Sequence, residues 1–302
     1  MKHLARLIFL IPYLFLSVLQ NAFAQGKVEH VILIGSDGFG AYAFENAKVP
    51  NLRRLMQEGS WSLQARTVLP SSSAPNWASM VMGAGPELHG YTKWGSQSPD
   101  LPARVLDEYG MFPTIYALLR KGKPKSEIGV IYEWDGIGYL FPKKAVNKDQ
   151  NCNGDKALTD AATSYIKEKK PNFLFIHLHD VDSVGHNAGH ATPDYYAAIE
   201  RTDAYIGNII KSIEEAGIME KTVIIFTADH GGINKGHGAI TMQEMQIPWI
   251  IKGPGIRKNN EVKESIMTFD TASTIAAIFK LKQPQVWIGR PVNAAFNGKS
   301  GH

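Results

Sequence analysis

The chain has 302 residues, enough for one large α/β domain or about two average domains, and its 44% hydrophobic and 20% charged residues exclude a disordered or fibrous protein. Its formal net charge of +4 is too weak to predict a nucleic-acid-binding patch or attraction to an acidic membrane. The single cysteine, Cys152, excludes an intrachain disulfide framework and a thiolate metal cluster, so a metal site would use His, Asp, Glu and hydroxyl ligands.

The N-terminal segment has the features of an export signal. A short basic stretch precedes an apolar run over residues 7–19, and Ala22-Phe23-Ala24 supplies the small residues that signal peptidase accepts. A membrane anchor is the alternative, but the run is shorter than the ~20 residues that a spanning helix needs. We therefore expect cleavage after Ala24 and a periplasmic or secreted protein without a membrane anchor.

Five short apolar runs predict buried strands. The first covers residues 28–36, and similar runs recur at residues 128–132, 172–177, 222–227 and 247–251. Helical patterns lie between them, the clearest beginning at Thr192-Pro193 and ending near Gly217. This alternation predicts a mostly parallel sheet covered by helices on both sides.

No repeat or linker divides the chain after the export signal, so residues 25–302 are expected to form one domain. Residues 90–150 are less regular and rich in Gly, Pro, Lys and aromatic residues. We interpret that segment as a small insertion beside the site, on the substrate side.

Acidic and imidazole side chains follow three of the predicted strands. In parallel sheets ligands bind at the carboxyl ends of the strands, so these groups are expected to lie together. They are Asp37 after residues 28–36, Asp182 and His186 after residues 172–177, and Asp229, His230 and His237 after residues 222–227.

Each of these groups taken alone could be an ordinary polar residue, since a histidine beside a glycine is usually structural or solvated. The complete set, however, offers three carboxylates and three imidazoles without a thiolate. Such ligands suit zinc, or manganese or magnesium at one position. Six ligands are more than one tetrahedral ion needs, so we predict two ions.

A small-residue turn at residues 69–73 opens a predicted helix over residues 74–83. A serine at this position commonly caps the helix. A metal-bound serine would instead be an activated nucleophile, and the helix N-terminus would favour a bound phosphate.

These motifs, in this order, resemble the alkaline phosphatase superfamily, in particular its type I phosphodiesterase / nucleotide pyrophosphatase branch. The resemblance covers nearly the whole chain after the export signal. It is carried by Ser36-Asp37-Gly38, Val49-Pro50-Asn51-Leu52, Pro70 to Asn76, Met82-Gly83 to His89-Gly90, Asp182 to His186, Asp229-His230-Gly231, His237-Gly238, Phe269 to Thr274 and Gly289-Arg290-Pro291.

The resemblance implies a three-layer αβα sandwich and hydrolysis of phosphate esters through a phosphoserine, with two Zn²⁺ ions. One ion would be held by Asp37, Asp229, His230 and the Ser73 oxygen. The other would be held by Asp182, His186 and His237. Ser73 matches the nucleophile, and Ser71 and Ser72 are the other candidates.

The sequence departs from this branch after Gly90, where many members have an asparagine that contacts a phosphate oxygen. Trp94 occupies the matching place, and Lys93 is a second candidate to contact that oxygen. We expect Asn76, Lys93 and Trp94 on the substrate side. The resemblance implies a small phosphoester substrate, and neither the choice between monoester and diester nor the oligomeric state follows from the sequence.

Three other functions fit the same motifs. A sulfatase would need an arginine after the nucleophile motif, where Trp77 follows Asn76. A headgroup transferase of this fold often carries several membrane helices. A non-catalytic binding protein would usually have lost some of the seven ligands.

Overall fold

The computed structural model describes residues 28–298. The predicted export signal, residues 1–24, lies outside this range. Among the described residues no helix combines the length and apolar character required to cross a bilayer.

Within residues 28–298 the strands form one eight-stranded sheet in the order β4-β3-β5-β1-β6-β7-β2-β8. The strands β4, β3, β5, β1 and β6 are parallel neighbours, whereas β7 runs antiparallel to both β6 and β2. The bounds are β1 His30–Ser36, β2 Ser60–Arg66, β3 Ile128–Tyr132, β4 Lys148–Asn151, β5 Phe173–Leu178, β6 Thr222–Ala228, β7 Gln246–Lys252 and β8 Asn260–Glu261. The predicted mostly parallel sheet is confirmed.

The strand β1 lies at the centre of the sheet, between β5 and β6. Val31 pairs with Phe173 on one side and with Val223 on the other. Every β1 residue is buried, which requires a cover on both faces and explains the continuous apolar sequence.

The helices supply these two covers. One group packs around α7 and contains α1, α5 and α6, and the other packs around α2 and α9 and contains α3 and α4. The bounds are α1 Pro50–Glu58, α2 Ser73–Met82, α3 Pro86–His89, α4 Ile115–Gly122, α5 Asp155–Lys169, α6 Asp180–Ala188, α7 Pro193–Glu215, α8 Met242–Met245 and α9 Asp270–Ile278. This is the expected three-layer αβα architecture.

The structure adds two details to the expected fold. The predicted strand at residues 247–251 is present and runs antiparallel to its neighbours. The segment 90–150, expected as an insertion on the substrate side, contains α4, the predicted strand β3 and the edge strand β4. Its longest irregular stretch is residues 90–114.

The histidine that precedes Gly90 is part of the core. His89 has no exposed surface, its Nδ1 accepts the Tyr91 amide proton at 3.1 Å, and its Nε2 lies 2.9 Å from the Ser79 hydroxyl. Burial lowers the pKa of His89 from 6.5 to about 3. The folded protein therefore keeps this imidazole neutral where the unfolded chain would protonate it.

This difference predicts acid sensitivity. As pH falls below 6.5 the unfolded chain takes up a proton at His89 that the folded state excludes. The free energy of unfolding should therefore fall by up to about 1.4 kcal/mol per pH unit from this residue. Denaturant titrations from pH 7 to pH 4, in chelator, should give a shallower pH dependence for His89→Gln. Equal slopes for the two proteins would contradict the prediction.

Candidate metal centre

Three adjacent parallel strands deliver the predicted ligands to one edge of the sheet. Asp37 follows β1, Asp182 lies in the first turn of α6 just after β5, and Asp229 follows β6. These three carboxylates are buried, with exposed fractions of 4% or less. Gly38 allows them to approach, because it adopts φ +68° and a Cβ there would lie 2.9 Å from Asp182.

The first cluster is formed by Asp37, Asp229 and His230, whose ligand atoms lie within 4.8 Å of one another. The Nε2 atom of His230 is 3.3 Å from Asp37 Oδ1 and 3.1 Å from Asp229 Oδ2. On the other side of the ring, Nδ1 donates to the Gly231 carbonyl at 2.8 Å. Burial lowers the pKa of His230 well below its ordinary value, so the ring is neutral and Nε2 carries a lone pair.

The second cluster is formed by Asp182, His186 and His237, also within 4.8 Å of one another. The two Nε2 atoms of the histidines are 3.1 Å apart. The Nδ1 atom of His186 lies 2.9 Å from the Lys235 carbonyl, and that of His237 lies 3.1 Å from the Ser71 carbonyl. Because a backbone carbonyl can only accept, each Nδ1 is the donor, which in the neutral ring leaves the Nε2 lone pair free to bind a metal ion.

The donor set fits metal ions. The oxygens Asp37 Oδ1, Asp182 Oδ1 and Asp229 Oδ2 are buried without a hydrogen-bond partner. Burial, reinforced by the negative charge of Asp37, raises the pKa of both Asp182 and Asp229. Cations at the two clusters would remove this cost, and oxygen and nitrogen ligands without sulfur suit zinc, manganese or magnesium.

Ser73 is the serine placed at the first cluster. It is the first residue of α2, it is 6% exposed, and its Oγ lies 3.3 Å from His230 Nε2. Ser71 is used elsewhere, since its hydroxyl donates to the Ala239 carbonyl at 2.6 Å. Ser72 precedes the helix as its N-cap and lines the cavity beside the clusters.

The three predicted substrate contacts have different positions. Asn76 has no exposed surface, and its amide bonds the backbone of Val68, Pro70 and Ser72, so it holds the serine turn and cannot touch a substrate. Expecting Asn76 on the substrate side was therefore wrong.

Lys93 and Trp94 do line the cavity. The ammonium of Lys93 pairs with Asp100 Oδ1 at 3.1 Å, and its side chain is 75% exposed. Lys93 is therefore directed at a carboxylate that the sequence interpretation did not consider.

Three residues around Asp37 were missed by the sequence interpretation. The indole Nε1 of Trp77 donates to Asp37 Oδ2 at 3.1 Å, and His177 Nε2 lies 3.1 Å from the same oxygen. His179 Nδ1 is 3.6 Å from it. Burial alone would raise the pKa of Asp37, but the hydrogen bonds with His177 and His179 hold it well below its ordinary value. Histidines at alternate positions of one strand end could have indicated this role, because they share a face.

Comparison with known proteins supports the family resemblance found in the sequence. The family model "Type I phosphodiesterase / nucleotide pyrophosphatase" matches residues 31–245. Ectonucleotide pyrophosphatase/phosphodiesterase family member 3 of Bos taurus is 25% identical over 219 residues, which are 67% of this chain and 24% of that protein. Arylsulfatase K of Bos taurus is 33% identical over 96 residues, which are 30% of this chain and 18% of that protein. The matches thus span a quarter or less of these relatives.

Solved structures show the same fold. Murine ectonucleotide pyrophosphatase / phosphodiesterase 5, an inactive variant in complex with AMP, matches with a TM-score of 0.70 and 16% identity, over 85% of this chain and 96% of that chain. Its human counterpart matches with a TM-score of 0.72 and 16% identity, over 89% of this chain and 100% of that chain.

The hydrogen bond from Trp77 to Asp37 predicts an effect on metal binding. Trp77→Phe removes one donor from Asp37 Oδ2, so the carboxylate is less firmly oriented and metal affinity should fall about 10- to 100-fold. Competition with a chromophoric chelator would measure this.

The matched control is Trp249→Phe. Trp249 is equally buried, but its indole donates to Thr271 instead. Unchanged affinity in Trp77→Phe, or an equal loss in Trp249→Phe, would contradict the positioning role.

Proposed function

Because the chain belongs to the type I phosphodiesterase / nucleotide pyrophosphatase family, we propose that it hydrolyses phosphate esters at the two clusters, with Ser73 as nucleophile. The observation that carries this proposal is the convergence of imidazole Nε2 atoms, on rings whose Nδ1 atoms face backbone carbonyls, with carboxylate oxygens that have no hydrogen-bond partner. Cations bound between these groups would offset their mutual repulsion and the cost of their burial.

The seven predicted ligand residues divide naturally between two ions. Asp37, Asp229, His230 and the Ser73 oxygen would hold one, and Asp182, His186 and His237 would hold the other. Metal ions bound there would stabilise negative charge on the attacking and leaving oxygens of an in-line displacement. We propose zinc for both, with manganese or magnesium as an alternative at one.

The protein's own groups would act in sequence. Ser73 Oγ forms a bond to phosphorus while the bond to the leaving group breaks, which produces a phosphoserine and, with the former hydroxyl proton, the free alcohol of the leaving group. Water then cleaves the phosphoserine, releases the phosphate product and restores the hydroxyl. The N-terminus of α2, which begins at Ser73, favours the negative charge of the bound phosphate.

Sulfate ester hydrolysis is the second candidate, because the similarity to arylsulfatase K favours it. Trp77 stands where a sulfatase would need the arginine for conversion of the nucleophile to formylglycine. Turnover of aryl sulfate above aryl phosphate, with an oxidised Ser73 in the mass spectrum, would reverse the order of the two candidates.

We also propose that the protein is exported, with residues 1–24 as the cleaved signal. We expect a small substrate. The organisation of residues 25–302 as a single domain stays a prediction. N-terminal sequencing of the protein from its native host would test the cleavage site.

Substitution of the nucleophile gives the most direct test. Ser73→Ala should lower hydrolysis of nitrophenyl phosphate esters at least about 10³-fold, because no other oxygen replaces Oγ beside the first cluster. Ser72→Ala is the matched control and should retain most of the activity. Full activity in Ser73→Ala, at equal metal content, would refute the assignment.

Metal stoichiometry tests the division of ligands. The purified wild-type protein should hold about two ions per chain, and Asp182→Asn should hold about one, because only the second cluster loses its carboxylate. Elemental analysis after gel filtration measures this. Less than one ion in the wild type would instead favour a non-catalytic binding protein.

A further inference from the structure

Trp94 lines the cavity that contains Ser73, and its side chain is 67% exposed. Two other exposed apolar side chains are close in sequence to lining residues: Leu69, 51% exposed, precedes Pro70, and Ile240, 72% exposed, follows Gly238 by two residues. We call Leu69, Trp94 and Ile240 the apolar rim. They are three of the four most exposed large hydrophobic side chains among the described residues.

Backbone and side-chain hydrogen bonds attach the rim to the serine turn. The Ala74 amide, next to Ser73, donates to the Trp94 carbonyl at 3.1 Å. The Ser71 hydroxyl donates to the Ala239 carbonyl at 2.6 Å, which places the neighbouring Ile240 beside the same turn. Leu69 directly precedes Pro70, a residue of the cavity wall. The rim is therefore held at a fixed position relative to the nucleophile.

The cavity itself has a volume of about 720 Å³, more than a phosphate group requires. Its lining combines the second cluster and His179 with the apolar side chains of Pro70, Trp94 and Trp134. Lys93 is the lysine in this wall, and Asp100 already pairs with it. Hydrogen bonds from Ser96 and the Thr92 amide hold the pKa of Asp100 well below its ordinary value, so the pair persists at neutral pH.

We propose that the substrate carries an uncharged, apolar group on its phosphoester, and that Trp94 and Ile240 select for this group by burying it against the rim. The inference rests on the proposed function of the same site. It follows from the lining of the cavity: the second cluster suits a phosphoryl group, whereas Pro70, Trp94 and Trp134 offer apolar surface, and the lining lysine, Lys93, is already paired with Asp100. An ester substituent with further phosphates would lie against this apolar surface without a counter-charge.

The test compares two diesters that release the same nitrophenolate, p-nitrophenyl methyl phosphate and p-nitrophenyl octyl phosphate. Because the leaving group is constant, the ratio of their kcat/KM values reports contacts of the alkyl chain. The metal-loaded wild type should prefer the octyl ester at least about tenfold, since each buried methylene favours binding. Trp94→Ala and Ile240→Ser should each reduce this ratio to about threefold or less.

The matched control is Ile288→Ala. Ile288 is 46% exposed, but its amide bonds the Gly83 carbonyl at the C-terminal end of α2, at the opposite end from Ser73. This variant should keep the wild-type ratio. A wild-type ratio near one, or an unchanged ratio in Trp94→Ala, would overturn the proposal.

A binding measurement separates this inference from the proposed hydrolysis. Calorimetric titration of the metal-loaded protein with methyl phosphate and octyl phosphate should show at least about tenfold tighter binding of the octyl compound, dependent on Trp94. If that preference is found without turnover of any ester, the proposed function fails and the selectivity stands. If Trp94→Ala weakens sedimentation with phosphatidylcholine vesicles but leaves both ratios unchanged, the rim is a membrane contact and the proposal fails.

Discussion

Buried carboxylates and neutral imidazoles that direct lone pairs at one another repel unless a cation lies between them. This constraint organises the edge of the sheet where the two clusters lie. Asp37 connects the core to the first cluster, since Oδ1 faces His230 whereas Oδ2 is bonded by Trp77 and lies beside His177. A fully buried tryptophan is thus a packing residue and a determinant of ligand geometry at the same time.

The parallel sheet makes this concentration of charge possible. Neighbouring parallel strands end at the same edge, so β5, β1 and β6 bring residues from three distant parts of the chain together. The strand ends and α6 position most of the ligands, whereas loops around Pro70, Trp94 and Gly238 contribute to the cavity wall, and His237 lies in one of these loops. The loop around Trp94 carries no ligand, so its residues can change with little effect on the metal centre.

Local patterns predicted much of the fold but not all of its strands. The strand at residues 128–132 and the helix beginning after Thr192 were located from apolar runs and capping residues, and the structure has both. The strand β2 was missed, because Ser60–Arg66 mixes polar and apolar residues and four of its seven residues are not fully buried. The antiparallel direction of β7 relative to β6 could not be predicted from the sequence, since a buried strand has the same apolar pattern in both orientations.

The sequence by itself determined which chemical groups were available: three carboxylates, three imidazoles and a serine turn, each adjacent to a predicted strand or helix. Only the tertiary structure decided how they are used. It placed His177 and Trp77 against Asp37 and paired Lys93 with Asp100. It also directed the Asn76 amide at the backbone of its own loop, away from the cavity. The physical reason is that side-chain type and periodicity are local properties, whereas hydrogen-bond partners and solvent exposure depend on strand order and on the packing of segments far apart in the chain.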